Sequence, residues 1–160
     1  MKILGVDPGL RVTGYGLINT DGPRIRLLEA GTIEPKAKDL FQNRINKIYK
    51  NLDDLVMEYR PDVMVLEKIY THYHHTTTAS ILGHVRGVIC LLCAQRNLKL
   101  AEHSVKRIRK AVIGRGAASK LQTQAMVAHI LKINKNQLTP DASDALALAL
   151  GYAQIVGNKI

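Results

Sequence analysis

The chain is poor in several things, and each shortage excludes a class of protein. It has two cysteines, Cys90 and Cys93. That is too few for a disulfide framework, and a reducing, cytoplasmic setting is the expectation. Glycine and proline together occupy 17 of 160 positions, and 22% of residues are charged, so this is not a disordered or collagen-like chain. No uninterrupted apolar run reaches the roughly 18 residues that would span a bilayer, so no membrane is expected as a partner. The opening Met1-Lys2-Ile3-Leu4-Gly5-Val6-Asp7 enters a strand pattern directly and lacks a signal-peptide layout.

The sharpest shortage is acid. Residues 1–67 hold ten Lys or Arg and ten Asp or Glu. Residues 68–160 hold thirteen basic residues and only three acids, Glu102, Asp141 and Asp144. The whole net charge of +10 therefore arises downstream of Glu67. Eight basic residues fall within 96–120 against Glu102 alone. Such a one-sided field suits a polyanion, nucleic acid or an anionic membrane surface, although it also serves solubility.

What is present is enough for one domain, 1–160, with a real core: 46% of the residues are apolar. Lys2–Val6, Val12–Ile18 and Arg24–Glu34 read as strands, with a hairpin turn at Asp21-Gly22. Phe41, Ile45, Ile48, Leu52, Leu55 and Tyr59 recur at helical spacing, which predicts an amphipathic helix over 39–59, ended by Arg60-Pro61. Val63–Leu66 is a strand, 76–95 a long apolar helix, Leu98–Ala101 a short strand and 105–113 a basic helix. Ser119 with Gln122 forms a capping box opening a helix to about Ile133. Thr139-Pro140 opens the last helix, to about Val156. The order β-β-β-α-β-α-β-α-α-α predicts an α/β fold, a mixed five-stranded sheet with helices on both faces.

Chemistry is sought where costly residues follow apolar runs. Asp7 and Glu67 each stand at the carboxyl end of a strand, where sites of open α/β sheets gather. The intervening helix is the crossover that parallel pairing requires, so the two carboxylates meet. Asp141 and Asp144, three apart, share one face at the start of the last helix, and Leu148 turns that face inward. Converging carboxylates are stable only when a cation neutralises them, and oxygen ligands select Mg²⁺ or Mn²⁺. Two such ions clamp the attacking and leaving oxygens of a phosphodiester. Taken singly, Asp7 is also a turn residue, Glu67 a strand cap and Asp141 good helix-dipole chemistry.

Lys106, Arg107, Arg109, Lys110 and Lys120 are the candidate phosphate contacts, and Tyr70 and Tyr73 could stack on unpaired bases. Cys90-Leu91-Leu92-Cys93 has zinc-like spacing without a second pair, and reads as packing. His72, His74 and His75 read as a polar loop. Ala79, Gly83 and Gly87 form a small-residue stripe, with Ile81, Val88, Ile89 and Leu92 adding apolar area, which predicts a homodimer interface on that helix.

The ordered set Ile3-Leu4-Gly5-Val6-Asp7-Pro8-Gly9, Arg11-Val12-Thr13-Gly14-Tyr15-Gly16, Gly83-His84-Val85-Arg86-Gly87, Val112-Ile113-Gly114 with Gly116, and Asp141-Ala142-Ser143-Asp144-Ala145-Leu146-Ala147 resembles the RuvC type of Holliday-junction resolvase along nearly the whole chain. The resemblance implies a ribonuclease-H-like fold and a Mg²⁺-dependent endonuclease that nicks two strands of like polarity at a four-way DNA junction. It implies that Asp7, Glu67, Asp141 and Asp144 are the catalytic, metal-binding acids. It further implies a homodimer working with a branch-migration motor. Where family members often carry Gln and then Phe after the strand-end Glu, this chain has Lys68 and Tyr70. Two other readings compete: a non-catalytic basic DNA-binding module, and an actin-like or sugar-kinase-like ATPase suggested by Asp7-Pro8-Gly9 before a glycine-bearing hairpin.

Overall fold

The computed structural model describes residues 1–68 and 76–157. Three antiparallel strands open the chain: β1 (Lys2–Asp7), β2 (Thr13–Asp21) and β3 (Arg24–Ile33). The tight turn falls on Gly22-Pro23, one residue later than expected, because Asp21 still pairs with Arg24 and Gly22 takes the positive φ of +54°. The first helix, α1 (Phe41–Tyr59), ends where Arg60 turns left-handed ahead of Pro61. It carries the chain across the sheet to β4 (Val63–Glu67), which lies parallel to β1. A second crossover through α2 (Thr76–Gln95) places β5 (Lys99–His103) parallel to β4. The strand order is β3-β2-β1-β4-β5.

Three helices close the chain: α3 (Val105–Ile113), α4 (Lys120–Leu131) and α5 (Pro140–Gly157). Ser104 caps α3 and Ser119 caps α4 through the expected box with Gln122. At α5 the Thr139 hydroxyl accepts the Ala142 N–H at 3.2 Å. A single 3₁₀ turn, Lys135–Gln137, interrupts the polar loop before it.

The period-2 alternation of the strands sorts the core into two layers. Leu4, Val6, Met64 and Leu66 face α1 and α2, packing on Ile48, Leu52, Val85, Ile89 and Leu92. Ile3, Val63 and Val65 face the other way, toward α3, α4 and α5. By the same parity Asp7 and Glu67 project on the α5 side. From Ala142 to Tyr152 nearly every α5 residue is buried.

Segment Thr77–Gln95 of α2 is long and apolar enough, by length and composition, to cross a membrane, contrary to the expectation from run lengths. His84 and Arg86 break the run without lowering its mean hydropathy below 1.5. In this fold only one face of it packs on the sheet, through Val85, Ile89, Leu92 and Cys93. Ile89 and Leu92, expected on its outer surface, are therefore buried. A helix apolar on most sides has no periodicity with which to choose its inner face.

Candidate active site

The parallel register pairs Val6 with Leu66, so Asp7 and Glu67 follow as the next step of neighbouring strands. Adjacent strands lie about 4.8 Å apart, which brings the two carboxylates side by side. On the opposite flank Asp7 pairs with Gly14 of β2. The loop leaving Asp7 is closed by the fully buried Thr13, whose hydroxyl donates to the Gly9 carbonyl at 2.7 Å and accepts the Gly9 N–H at 3.2 Å. From α1, Arg44 Nη2 donates to the Leu10 carbonyl at 3.0 Å.

The helical acids come down onto this strand end because glycines leave room. A Cβ at Gly5 would collide with the Ala145 carbonyl, and one at Gly16 would stand 2.5 Å from Leu146 Cγ. One at Gly14 would collide with the Asp141 carbonyl. Thus α5 rests on bare backbone at the first turns, where Asp141 and Asp144 stand.

A cleft of about 310 Å³ opens here, and its polar lining is Asp7, Glu67, Arg109, Lys120, Thr123 and Asp144. Asp141 stands outside that lining, above Gly14, but its charge is felt at Asp7. Burial first, then repulsion from Asp144, Glu67 and Asp141, raises the Asp7 pKa to about 7, against a smaller pull from Lys120. Glu67 is also raised, by burial and by Asp144, while Arg109, Arg86 and Lys120 oppose the shift. Lys120 forms an ion pair with Asp144, and that hydrogen bond raises its own pKa.

The donor set suits a hard divalent cation: four carboxylates crowd one strand end, and the Lys120 ammonium lies against Asp144. As the side chains stand, no three Asp, Glu, His or Cys among the described residues form a ready-made metal-holding group.

The other expected contacts divide. Arg109 and Lys120 line the acid cleft. Lys106, Arg107 and Lys110 are exposed along α3. Tyr70, Tyr73 and the histidines 72, 74 and 75 lie outside the described residues. The sequence reading missed the seating role of Gly5 and Gly16 and the part played by Arg86, whose guanidinium Nη1 donates to the Glu67 carbonyl at 2.6 Å. The available signal for Arg86 was its position as the sole Asp, Glu, Lys or Arg of α2.

The mixed five-stranded sheet, three antiparallel strands extended by two parallel ones, is of the ribonuclease-H-like class, and the relatives of this chain are nucleases. The family model described as "Crossover junction endodeoxyribonuclease RuvC" matches residues 3–152. The protein so named from Rhodopirellula baltica is 36% identical over 158 residues, spanning 99% of this chain and 89% of its own. That from Halorhodospira halophila is 40% identical over 152 residues, spanning 95% and 89%. Among solved structures, Thermus thermophilus RuvC in complex with Holliday junction substrate matches with a TM-score of 0.92 over 99% of this chain and 96% of its own, at 22% identity. The yeast mitochondrial Holliday junction resolvase Ydc2 matches at a TM-score of 0.69 and 15% identity, over 95% and 77%. This chain belongs to the RuvC family of crossover junction endodeoxyribonucleases. Nucleases of that family depend on divalent metal.

Proposed function

We propose that this chain resolves four-way DNA junctions by paired, symmetric nicks, in recombination and repair, with two Mg²⁺ ions held by Asp7, Glu67, Asp141 and Asp144. The observation that carries the reading is the convergence of those acids on one strand end: Asp7, Glu67 and Asp144 line a cleft with Arg109 and Lys120, and the charge of Asp141 is felt at Asp7 from just outside it. When bound, the ions supply charge neutralisation and an activated water at the phosphodiester. The chain itself supplies the acid cluster, a buried floor of Ala147 and Leu148, and two cations beside the reacting phosphate. Lys106, Arg107 and Lys110 extend that positive field to a duplex arm, fixing its position without reading bases. Tyr70 belongs to the same proposal as a base-stacking residue.

Two symmetric nicks need two acid clusters, and a two-fold dimer provides them. The support is on α2. Gly83 and Gly87 face open space, with nothing within 4 Å of a Cβ built at either. Exposed Ser80, Cys90 and Ala94 continue that small-residue stripe, so a second helix can approach closely. The proposal includes a branch-migration motor as the working partner, on family resemblance. A cytoplasmic setting fits the two free thiols, Cys90 and Cys93.

The test is cleavage of a synthetic four-way junction, with linear duplex and metal-free reactions as controls. Paired nicks on the junction in Mg²⁺ alone are expected. Binding without cleavage in any divalent metal would make the chain a DNA-binding module instead.

A further inference from the structure

The acids occupy the α5 face of the strand ends. The opposite face holds a charged group that the chemistry above does not use. Arg86 lies midway along α2 with its side chain only 12% exposed. Nη1 donates to the main-chain carbonyl of Glu67 at 2.6 Å, and Nη2 pairs with the Glu102 carboxylate. Strand parity explains the geometry. Leu100 packs on the α2 side and Ala101 on the other, so Glu102 returns to the α2 side. The Glu67 side chain points away, into the cleft, and leaves its backbone to be gripped from behind.

The same peptide is held a second time. The Lys68 N–H donates to the His103 carbonyl at 2.9 Å. The Glu67–Lys68 peptide is thus fixed through its carbonyl by α2 and through its N–H by β5. Register pairs Leu66 with Glu102 and Glu67 with His103, so one guanidinium bridges β4 and β5 at their last rung. A planar fork serves two acceptors at once, which a lysine ammonium on a flexible stem does less well. Burying the cation costs solvation, and the Glu102 carboxylate and the carbonyl offset it.

We propose that Arg86 is a positioning residue for the nuclease reaction: from behind the sheet, it fixes the last peptide of β4 and so holds the Glu67 carboxylate in the cleft. The inference rests on the junction-nuclease reading. Misplacing a reacting group by about 1 Å costs on the order of 100-fold in rate, so a frayed strand end is sufficient to impair cleavage.

The experiment compares Arg86→Gln, Arg86→Lys and the wild type in three ways: amide hydrogen exchange at Lys68 without metal, junction binding without metal, and single-turnover cleavage at saturating enzyme. Arg86→Gln is expected to exchange Lys68 at least roughly tenfold faster and to cut roughly 10- to 100-fold more slowly, with junction affinity unchanged. Arg86→Lys should recover part of both losses, and it carries the comparison if the glutamine variant does not fold. Unchanged exchange at Lys68 overturns the proposal, as does a cleavage loss matched by an equal loss of binding. A wild type that exchanges Lys68 slowly but never cuts junctions defeats the nuclease reading instead. The exchange arm still decides whether Arg86 holds the strand end.

Discussion

Gly14 of β2 lies directly beneath Asp141 of α5. A Cβ there would strike the Asp141 carbonyl and stand 3.0 Å from the Asp141 Cβ. Gly14 is also the register partner of Asp7. One missing side chain therefore lets an acid from the last helix reach an acid from the first strand, across the whole length of the sequence. Gly14→Ala should push α5 off the sheet, where the obstacle is backbone and cannot rotate away. A loss of about 1–3 kcal/mol is expected, roughly 2–10 °C in Tm for a chain of this size. Gly157→Ala, which meets open space at the end of α5 and away from the α2 stripe, is the control. Differential scanning calorimetry of the two decides it, and equal melting points would show that α5 does not need bare backbone beneath it.

The acid cluster should leave a mark on stability without metal. The Asp7 pKa is raised from an ordinary 3.8 to about 7. The folded state then binds more protons than the unfolded chain between about pH 4 and 7, so stability falls as pH rises through that window and levels off above it. The full effect is at most about 4 kcal/mol, at about 1.4 kcal/mol per pKa unit. Asp7→Asn should flatten the slope and exceed the wild type in stability at pH 8. Urea melts in chelator at several pH values measure it, and an unchanged slope in the variant would place the repulsion elsewhere.

With metal present the same variant should fail. Asp7→Asn and Asp144→Asn are each expected to lower junction cleavage by about 10³-fold or more, while metal-free junction binding persists or tightens as negative charge is removed. Gel-shift and single-turnover assays on one junction separate the two quantities. Cleavage near the wild-type rate by either variant would remove that carboxylate from the machinery.

Most of this architecture is legible in the residues, and the exceptions share a cause. Asp7 and Glu67 stand out because each interrupts an apolar strand run, and strand parity alone puts them on one face. The capping box at Ser119 and the Thr139-Pro140 start mark α4 and α5 by local chemistry that needs no tertiary partner. Strand β5 runs two residues beyond its apolar stretch because Glu102 and His103 continue the ladder with Leu66 and Glu67 of β4, where Arg86 pairs with Glu102 and the Tyr152 ring packs on His103. Lys120 reads as one cation among many until α4 delivers it to Asp144. In each case the deciding partner is remote in sequence, and composition and periodicity report only on near neighbours.

The basic residues should separate by location. Lys106, Arg107 and Lys110 are exposed, so each that touches a phosphate should contribute about −0.9 to the slope of log affinity against log salt. Arg107→Ala should flatten that slope by about one unit and weaken all junction sequences alike. Lys120→Ala should instead leave the slope nearly unchanged and reduce cleavage, since its ammonium is already engaged with Asp144 inside the cleft. Fluorescence anisotropy over a salt series is the measurement. Identical slopes for Arg107→Ala and the wild type would move the DNA path away from α3.

The dimer makes the last prediction, and Gly83 is where it is sharpest. Were its side packed on the sheet, Gly83→Leu would drive four carbons into a close-packed core and unfold the chain. The inner face of α2 is Val85, Ile89, Leu92 and Cys93, and Gly83 is exposed. The leucine therefore projects outward, where the folded monomer has room for it. It is expected to fold with a melting point within a few degrees of the wild type, to sediment as a monomer at micromolar concentration, and to make at most single nicks. A plasmid-borne cruciform reports this directly, because coordinated paired nicks linearise it whereas single nicks only relax it. A Gly83→Leu protein that still linearises the cruciform would place the two-fold axis on another surface.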